Sequence, residues 1–424
     1  MEVLKHKMAF RWLSGTRRSM QRLGFCKAVL IFSDRARTSA GMADVIRTEL
    51  MENSHPIPFD PKFCDWMNTR PNGGDVVRQN DGTILVRFQD IYIFRHSSQS
   101  GWLSRLGFNE YVEYLPKKFQ LIDSICDPTN MGEVLSKALM DDREIRSFEM
   151  VSDKINPLSL TTQQQIYFLY NLLTVDGDFF IPFTSSLLSN FGENSFSYLD
   201  VGKILPRVIE IVESNFSRAI YTSDDRNQID RLIKLKRIVE KQNEEEIERK
   251  GSGSRREQTD VPRLEWMLDL GLVKRVKSDK SASRLTYNFT KFGKTFAREI
   301  SRLYDHELKS SYPEESLRKV LDESFFSIIN LSYFDGKAKR FSGDDVLSFL
   351  QDGYELLKDV YGYCLCRPLL LLANILALNK LNASFLEYEY AVELIEAAYR
   401  RNPSRFHYAI DRFSTDYQIK LERE

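Results

Sequence analysis

The stretch Thr259–Ala297, TDVPRLEWMLDLGLVKRVKSDKSASRLTYNFTKFGKTFA, constrains the fold of this chain more than any other segment. Its apolar spacing is helical, then alternating, then helical again. Thr259 or Asp260 can accept a hydrogen bond from the open amides of a helix start, and Pro262 suits a first turn. Val261, Leu264, Leu268 and Leu272 recur at three- and four-residue spacing, which predicts one apolar stripe. Gly271 follows where a helix commonly ends in a left-handed residue. Beyond it, 272–276 and 284–289 alternate as strands, with Leu285, Tyr287 and Phe289 on one face. The polar run 277–283 suits a hairpin tip. Thr290 can cap a second helix that buries Phe292, Phe296 and Ile300.

This order of helix, glycine stop, basic hairpin and helix resembles a winged-helix domain, extending over about residues 225–304 when the charged helix before it is included. The phrase Leu-Gly-Leu-Val, a basic strand, and then Tyr-Asn-Phe-Thr-Lys-Phe-Gly carry the resemblance. It implies a helix laid in the major groove of duplex DNA and a wing on the backbone or minor groove. Carried over by position, the groove-facing candidates are Arg255, Arg256, Gln258, Thr259 and Arg263. The wing candidates are Lys274, Arg275, Lys277, Lys280 and Arg284.

Local charge agrees with a phosphate-binding patch. Eleven basic residues lie between Arg255 and Arg298 against Glu257, Asp260, Glu265, Asp269 and Asp279, a net of +6 in a chain whose formal charge is +0. Concentrated cations displace counterions from phosphates and give salt-sensitive affinity. The neutral whole excludes wholesale coating of nucleic acid. Winged helices also serve protein contacts alone, and a basic hairpin is often a solvated surface, so a protein-interaction scaffold is the rival expectation.

At 424 residues and 42% hydrophobic content, the chain can form several domains. The expected class is α+β, mainly helical and multidomain. Residues 1–41 form a basic segment with nine Lys and Arg against Glu2 and Asp34. They read as a transit-like leader, as a loose arm or sequence upstream of a true start at Met42, or as a basic tail that touches nucleic acid. Within them, 28–32 can form a strand. A small β-rich or α+β domain follows at 42–128, where Asn80-Asp81-Gly82 between 76–79 and 83–88 signals a hairpin and 91–95 and 110–115 add strands. Its aromatic residues suit a core face better than a base-stacking platform.

A helical domain spans 129–223, in which a helix from Thr161 or Thr162 is expected to break at Asp176-Gly177-Asp178. That acidic turn lacks the spacing and closing glutamate of a calcium loop. The winged-helix region occupies 224–304, with a long charged helix over 224–250 and a Gly-Ser joint at 251–254. The helical domain 305–424 carries helices over 314–331, 342–361, 368–381 and 384–399, then a hairpin from 406–410 and 417–421. Helices followed by a hairpin suit a second winged-helix-like unit, with Arg400, Arg401, Arg405 and Arg412 as its basic face.

Catalytic signatures are missing: there is no phosphate-binding Gly-Lys-Ser/Thr loop and no G-x-S-x-G turn. The five histidines and five cysteines show no metal-ligand spacing, so no cofactor or metal is expected. The scattered cysteines suit reduced, buried thiols in a cytoplasmic protein, and no apolar run is long enough to span a membrane. The sequence therefore leads to a non-catalytic winged-helix protein that binds double-stranded DNA and protein partners. Its helical surroundings resemble, in style, accessory proteins of prokaryotic DNA-processing and anti-phage defence assemblies. The other readings are the protein scaffold and a metal-dependent nuclease without a sequence signature.

Overall fold

The helical periodicities become helices in a computed structural model of the chain. The structure describes residues 11–13, 23–31, 75–78, 84–88, 91–96, 115–123, 127–142, 144, 160–216, 223–248, 260–276, 286–308, 324–332, 339–340, 343–359, 361–380, 384–385, 388–401, 406–410 and 417–421. These are mostly helical, with short strands. They fall into two compact units, one of Arg17–Gln164 and one joining Met1–Thr16 to Gln165–Glu424.

In the smaller unit, α1 (Phe25–Ile31) replaces the strand expected at 28–32. Leu23, Cys26, Val29 and Leu30 are all buried, and a three- and four-residue spacing buries them on a helix, not a strand. Strands β1 (Asp75–Arg78), β2 (Ile84–Phe88) and β3 (Ile91–His96) form an antiparallel sheet in sequence order. The Asn80-Asp81-Gly82 turn itself lies outside the described residues. So does 110–114 of the expected fourth strand, while Leu115 opens the short helix α2 (Leu115–Lys118). Helix α3 (Asn130–Glu133) runs into a π-helical turn at Val134–Ala138.

A charged cluster closes this unit. Lys27 is fully buried and its Nζ donates to Glu144 and, at 3.2 Å, to Gln164 Oε1. The Gln164 amide donates in turn to both Glu144 oxygens and to the Leu139 carbonyl. A buried ammonium needs such partners, because an uncompensated charge in a dry core is strongly unfavourable.

The larger unit opens on α4 (Thr162–Phe191), which runs unbroken through Asp176-Gly177-Asp178. The expected break is absent because both carboxylates are buried and held by ion pairs. The chain then forms β4 (Phe196–Ser197) and α5 (Tyr198–Phe216). Asp200 folds back onto the start of α5: the Ser197 amide and hydroxyl both donate to Asp200 Oδ2, at 3.0 and 2.8 Å. Next come α6 (Ser223–Glu248), α7 (Asp260–Asp269), β5 (Val273–Val276), β6 (Thr286–Phe289) and α8 (Lys291–Leu308). The antiparallel sheet has the order β4-β6-β5, so the strand between α4 and α5 pairs with the far strand of the hairpin. Phe196 bridges the core there, its ring 5.5 Å from Phe191, 6.1 Å from Tyr287 and 5.8 Å from Phe289.

The same connection order returns near the end of the chain. After α9 (residues 324–332) and β7 (Lys339–Arg340) come α10 (Gly343–Leu357), β8 (Tyr363–Leu365) and α11 (Cys366–Lys380). Then β9 (Ser384–Phe385) pairs parallel with β7, and α12 (Tyr388–Arg401) follows. The expected helix from Ser384 thus begins only at Tyr388. Strands β10 (Phe406–Ile410) and β11 (Tyr417–Leu421) form the hairpin foreseen from alternation. Strand β8, not foreseen, adds antiparallel to β11 and places Cys364 opposite Ile419. We call residues 165–308 the central module and 343–421 the C-terminal module.

Candidate nucleic-acid interface

The hairpin and its flanking helices follow directly from local sequence. Gly271 has φ +70°, the Leu272 amide bonds the Met267 carbonyl and the Gly271 amide bonds that of Leu268. This is a Schellman stop, which only a residue tolerant of left-handed backbone closes cheaply. Thr290 caps α8 by accepting from the Gly293 amide at 2.9 Å. Tyr287, Phe289, Phe292, Phe296 and Ile300 are buried as their spacing requires.

The helix before the hairpin departs from expectation. From Pro262 to Leu270 every residue of α7 and its end is buried except Leu268, which is half-buried. Over this span the helix has no open face to lay in a groove. Arg263, expected to face DNA, is fully buried. Its Nε and Nη2 donate to the two Asp176 oxygens, both at 2.7 Å, and Nη2 also donates to the Leu13 carbonyl at 3.1 Å. Its guanidinium carbon stands 4.3 Å from the Phe179 ring centre and 5.7 Å from that of Trp266. Planar, weakly hydrated guanidinium suits such a forked and stacked site. Burial pushes the Asp176 carboxyl above its ordinary range, with Arg263 pulling the other way.

The N-terminal segment completes this core, so Arg11–Leu13 is not a loose arm. The Leu13 amide donates to Asp176 Oδ1 at 2.8 Å. Arg11 donates to Asp178 from its backbone amide (2.9 Å), Nε (3.2 Å) and Nη2 (2.7 Å), and the Tyr304 hydroxyl joins Asp178 at 3.1 Å. Helices α4, α7 and α8 are thereby tied to one another through two neighbouring carboxylates.

Of the wing candidates, Lys274 is exposed. Arg275 is half-buried and its Nη2 donates to the fully buried Glu265 at 2.8 Å, where the Tyr287 hydroxyl also donates at 2.5 Å. Arg275 thus neutralises an acidic residue of α7, a task alternation alone does not reveal. Arg255, Arg256, Gln258, Thr259, Lys277, Lys280 and Arg284 lie outside the described residues.

Other cations gather on the outer face of α8. Lys291, Lys294, Arg298 and Arg302 follow at spacings of three, four and four, which line up on one side of a helix. Lys291, Arg298 and Arg302 are exposed, and Lys294 is half-buried. Lys294 reaches Glu193 at 2.7 Å and Arg302 reaches Glu299 at 2.9 Å. That spacing is visible in the sequence, whereas its exposure follows from the burial of the opposite face. In the C-terminal module, Arg400 and Arg401 are exposed at the end of α12, Arg400 touching Glu396 at 3.3 Å. Arg405 and Arg412 lie outside the described residues.

Among the described residues no three His, Cys, Asp or Glu side chains converge as a metal site, and no helix is long and apolar enough to cross a membrane. No family model, no curated protein and no solved structure matches this chain.

Proposed function

We propose that the chain is a winged-helix-type protein that binds duplex DNA through phosphate contacts, as a non-catalytic component of a larger DNA-processing or anti-phage defence assembly. The observation that carries this reading is the repeated connection order: helix, short strand, helices and hairpin, with the short strand paired to the far strand of the hairpin. The net charge of +6 over Arg255–Arg298 supports a polyanionic partner. The sealed helix α7 supports backbone contact over base readout, since sequence is read only by groups that reach base edges.

The same sealed helix favours a second reading, in which both modules bind proteins and no nucleic acid. Anisotropy of two fluorescent duplexes of unrelated sequence, followed across a salt series, separates the two. Phosphate binding gives equal affinities for the two duplexes and a linear fall of log affinity with log salt. Absence of binding at low salt by folded protein leaves the scaffold reading.

A further inference from the structure

We infer that the outer stripe of α8, Lys291, Lys294, Arg298 and Arg302, is the surface that docks on the DNA backbone. The inference rests on the proposed DNA binding and relocates its site from the helix before the hairpin to the helix after it.

Three features of the central module lead there. Helix α7 offers no free face from Pro262 to Leu270, and its one arginine pairs with Asp176 inside the core. Arg275 is turned to Glu265, leaving Lys274 as the exposed cation of β5. Helix α8, by contrast, divides cleanly. Phe292, Phe296, Ala297, Ile300 and Tyr304 are buried on one side, and the four cations run along the other.

Among the described residues, the acidic side chains that meet Lys294 and Arg302 are weakly placed. Glu193, which meets Lys294, has an 87% exposed side chain. Glu299 meets Arg302 at the flank, and Asp305 is exposed one turn further on. Exposed pairs of this kind contribute little and yield to a better partner. Arg298, at the middle of the stripe, has no ion-pair partner among the described residues.

The dimensions also suit a phosphate strand. From Lys291 to Arg302 the helix advances about 16 Å at 1.5 Å per residue. One DNA strand carries a phosphate every 3.4 Å or so along the duplex axis, so the stripe runs beside roughly five of them. Strand β5 lies next to the start of this stripe. Lys274 is in register with Asn288, and the Thr290 amide bonds the Leu272 carbonyl at 3.0 Å. The hairpin and α8 can therefore engage one backbone together.

The test compares two sets of full-length variants by duplex anisotropy over a salt series, with folding checked by thermal melting. The stripe set is Lys291→Gln with Arg298→Gln, and the same positions changed to Glu. The hairpin set is Lys274, Lys277, Lys280 and Arg284 all changed to Gln. The stripe Gln variant is expected to lower the salt slope by about two, because each phosphate contact contributes close to 0.9. The Glu variant is expected to lose at least tenfold in affinity. Native-like binding by both stripe variants, with loss confined to the hairpin variant, overturns the stripe and leaves DNA binding standing. No binding by the native protein overturns both.

Discussion

In the central module the helix before the hairpin, α7, is closed off by buried charge: Arg263 against Asp176, and Glu265 between Arg275 and Tyr287. In the C-terminal module the corresponding helix, α12, leaves Glu393, Arg400 and Arg401 in solvent and buries Ile395. The two modules share the order helix, short strand, helices and hairpin, with β9 interrupting the helices of the second, and in each the short strand closes the sheet. A fold therefore does not decide which helix stays available to a partner. The neighbours that cover it do, here α4 and the N-terminal segment Arg11–Leu13.

The sharpest way to break this comparison is to remove the charge that seals α7. Arg263→Ala leaves the Asp176 carboxylate buried without its guanidinium, and removing one partner of a buried pair costs about 3–5 kcal/mol. Urea unfolding should show that loss, whereas Arg400→Ala, at an exposed pair, should change stability by less than about 1 kcal/mol. Equal effects would mean that the two helices are held alike.

A second contrast is steric. A Cβ at Gly293 would lie 1.9 Å from the Leu272 carbonyl oxygen, a backbone atom fixed by the hairpin. At Gly353, inside α10 where it faces α11, it would meet the Leu369 Cδ1 at 2.9 Å, an atom that a rotamer change can move. Gly293→Ala is expected to cost on the order of 1–3 kcal/mol as overpacking against an immovable wall. Gly353→Ala should cost less, or stabilise slightly through helix propensity. Thermal melting of the two variants ranks them, and a larger loss at Gly353 would contradict the rigid seat of α8.

The smallest expected effect concerns pH. Burial alone would raise the Asp200 carboxyl, but the Ser197 hydroxyl and amide, with Lys203, hold it below its ordinary value of 3.8. A depressed folded-state value gives stability that is present above the unfolded value and lost as pH falls through the folded one. Asp200→Asn should therefore flatten the acid limb of the stability profile below about pH 4, with little change near neutrality beyond a weaker cap. An unchanged acid limb would remove Asp200 from the capping of α5. Because the sequence that carries β8 into α11, residues 363–370, holds no Ser, Asp or Glu, this acid sensitivity is expected of the central module.

Much of the local structure was legible because its causes are local. Gly271 stops α7, Thr290 starts α8, and alternation marks β5, β6, β10 and β11. These depend on backbone sterics, capping and side-chain period, which act within a few residues. The misreadings had distant causes. Asp176-Gly177-Asp178 reads as a turn, yet it lies inside a helix because Arg263 and Arg11 meet the two carboxylates. Arg263 reads as a surface cation for the same reason in reverse. The strands β4 and β8 are too short to announce themselves, and each exists through pairing with a strand far along the chain.

Sequence alone thus determined where α7 stops and α8 starts, the alternation of β5, β6, β10 and β11, the mainly helical class, and the positive balance around the hairpin. Tertiary structure alone decided which charges face inward, that α7 is sealed, and that both sheets close on a distant strand. The physical reason is range: capping and periodicity act within a turn or two, whereas a buried ion pair joins residues that the sequence separates by 87 positions.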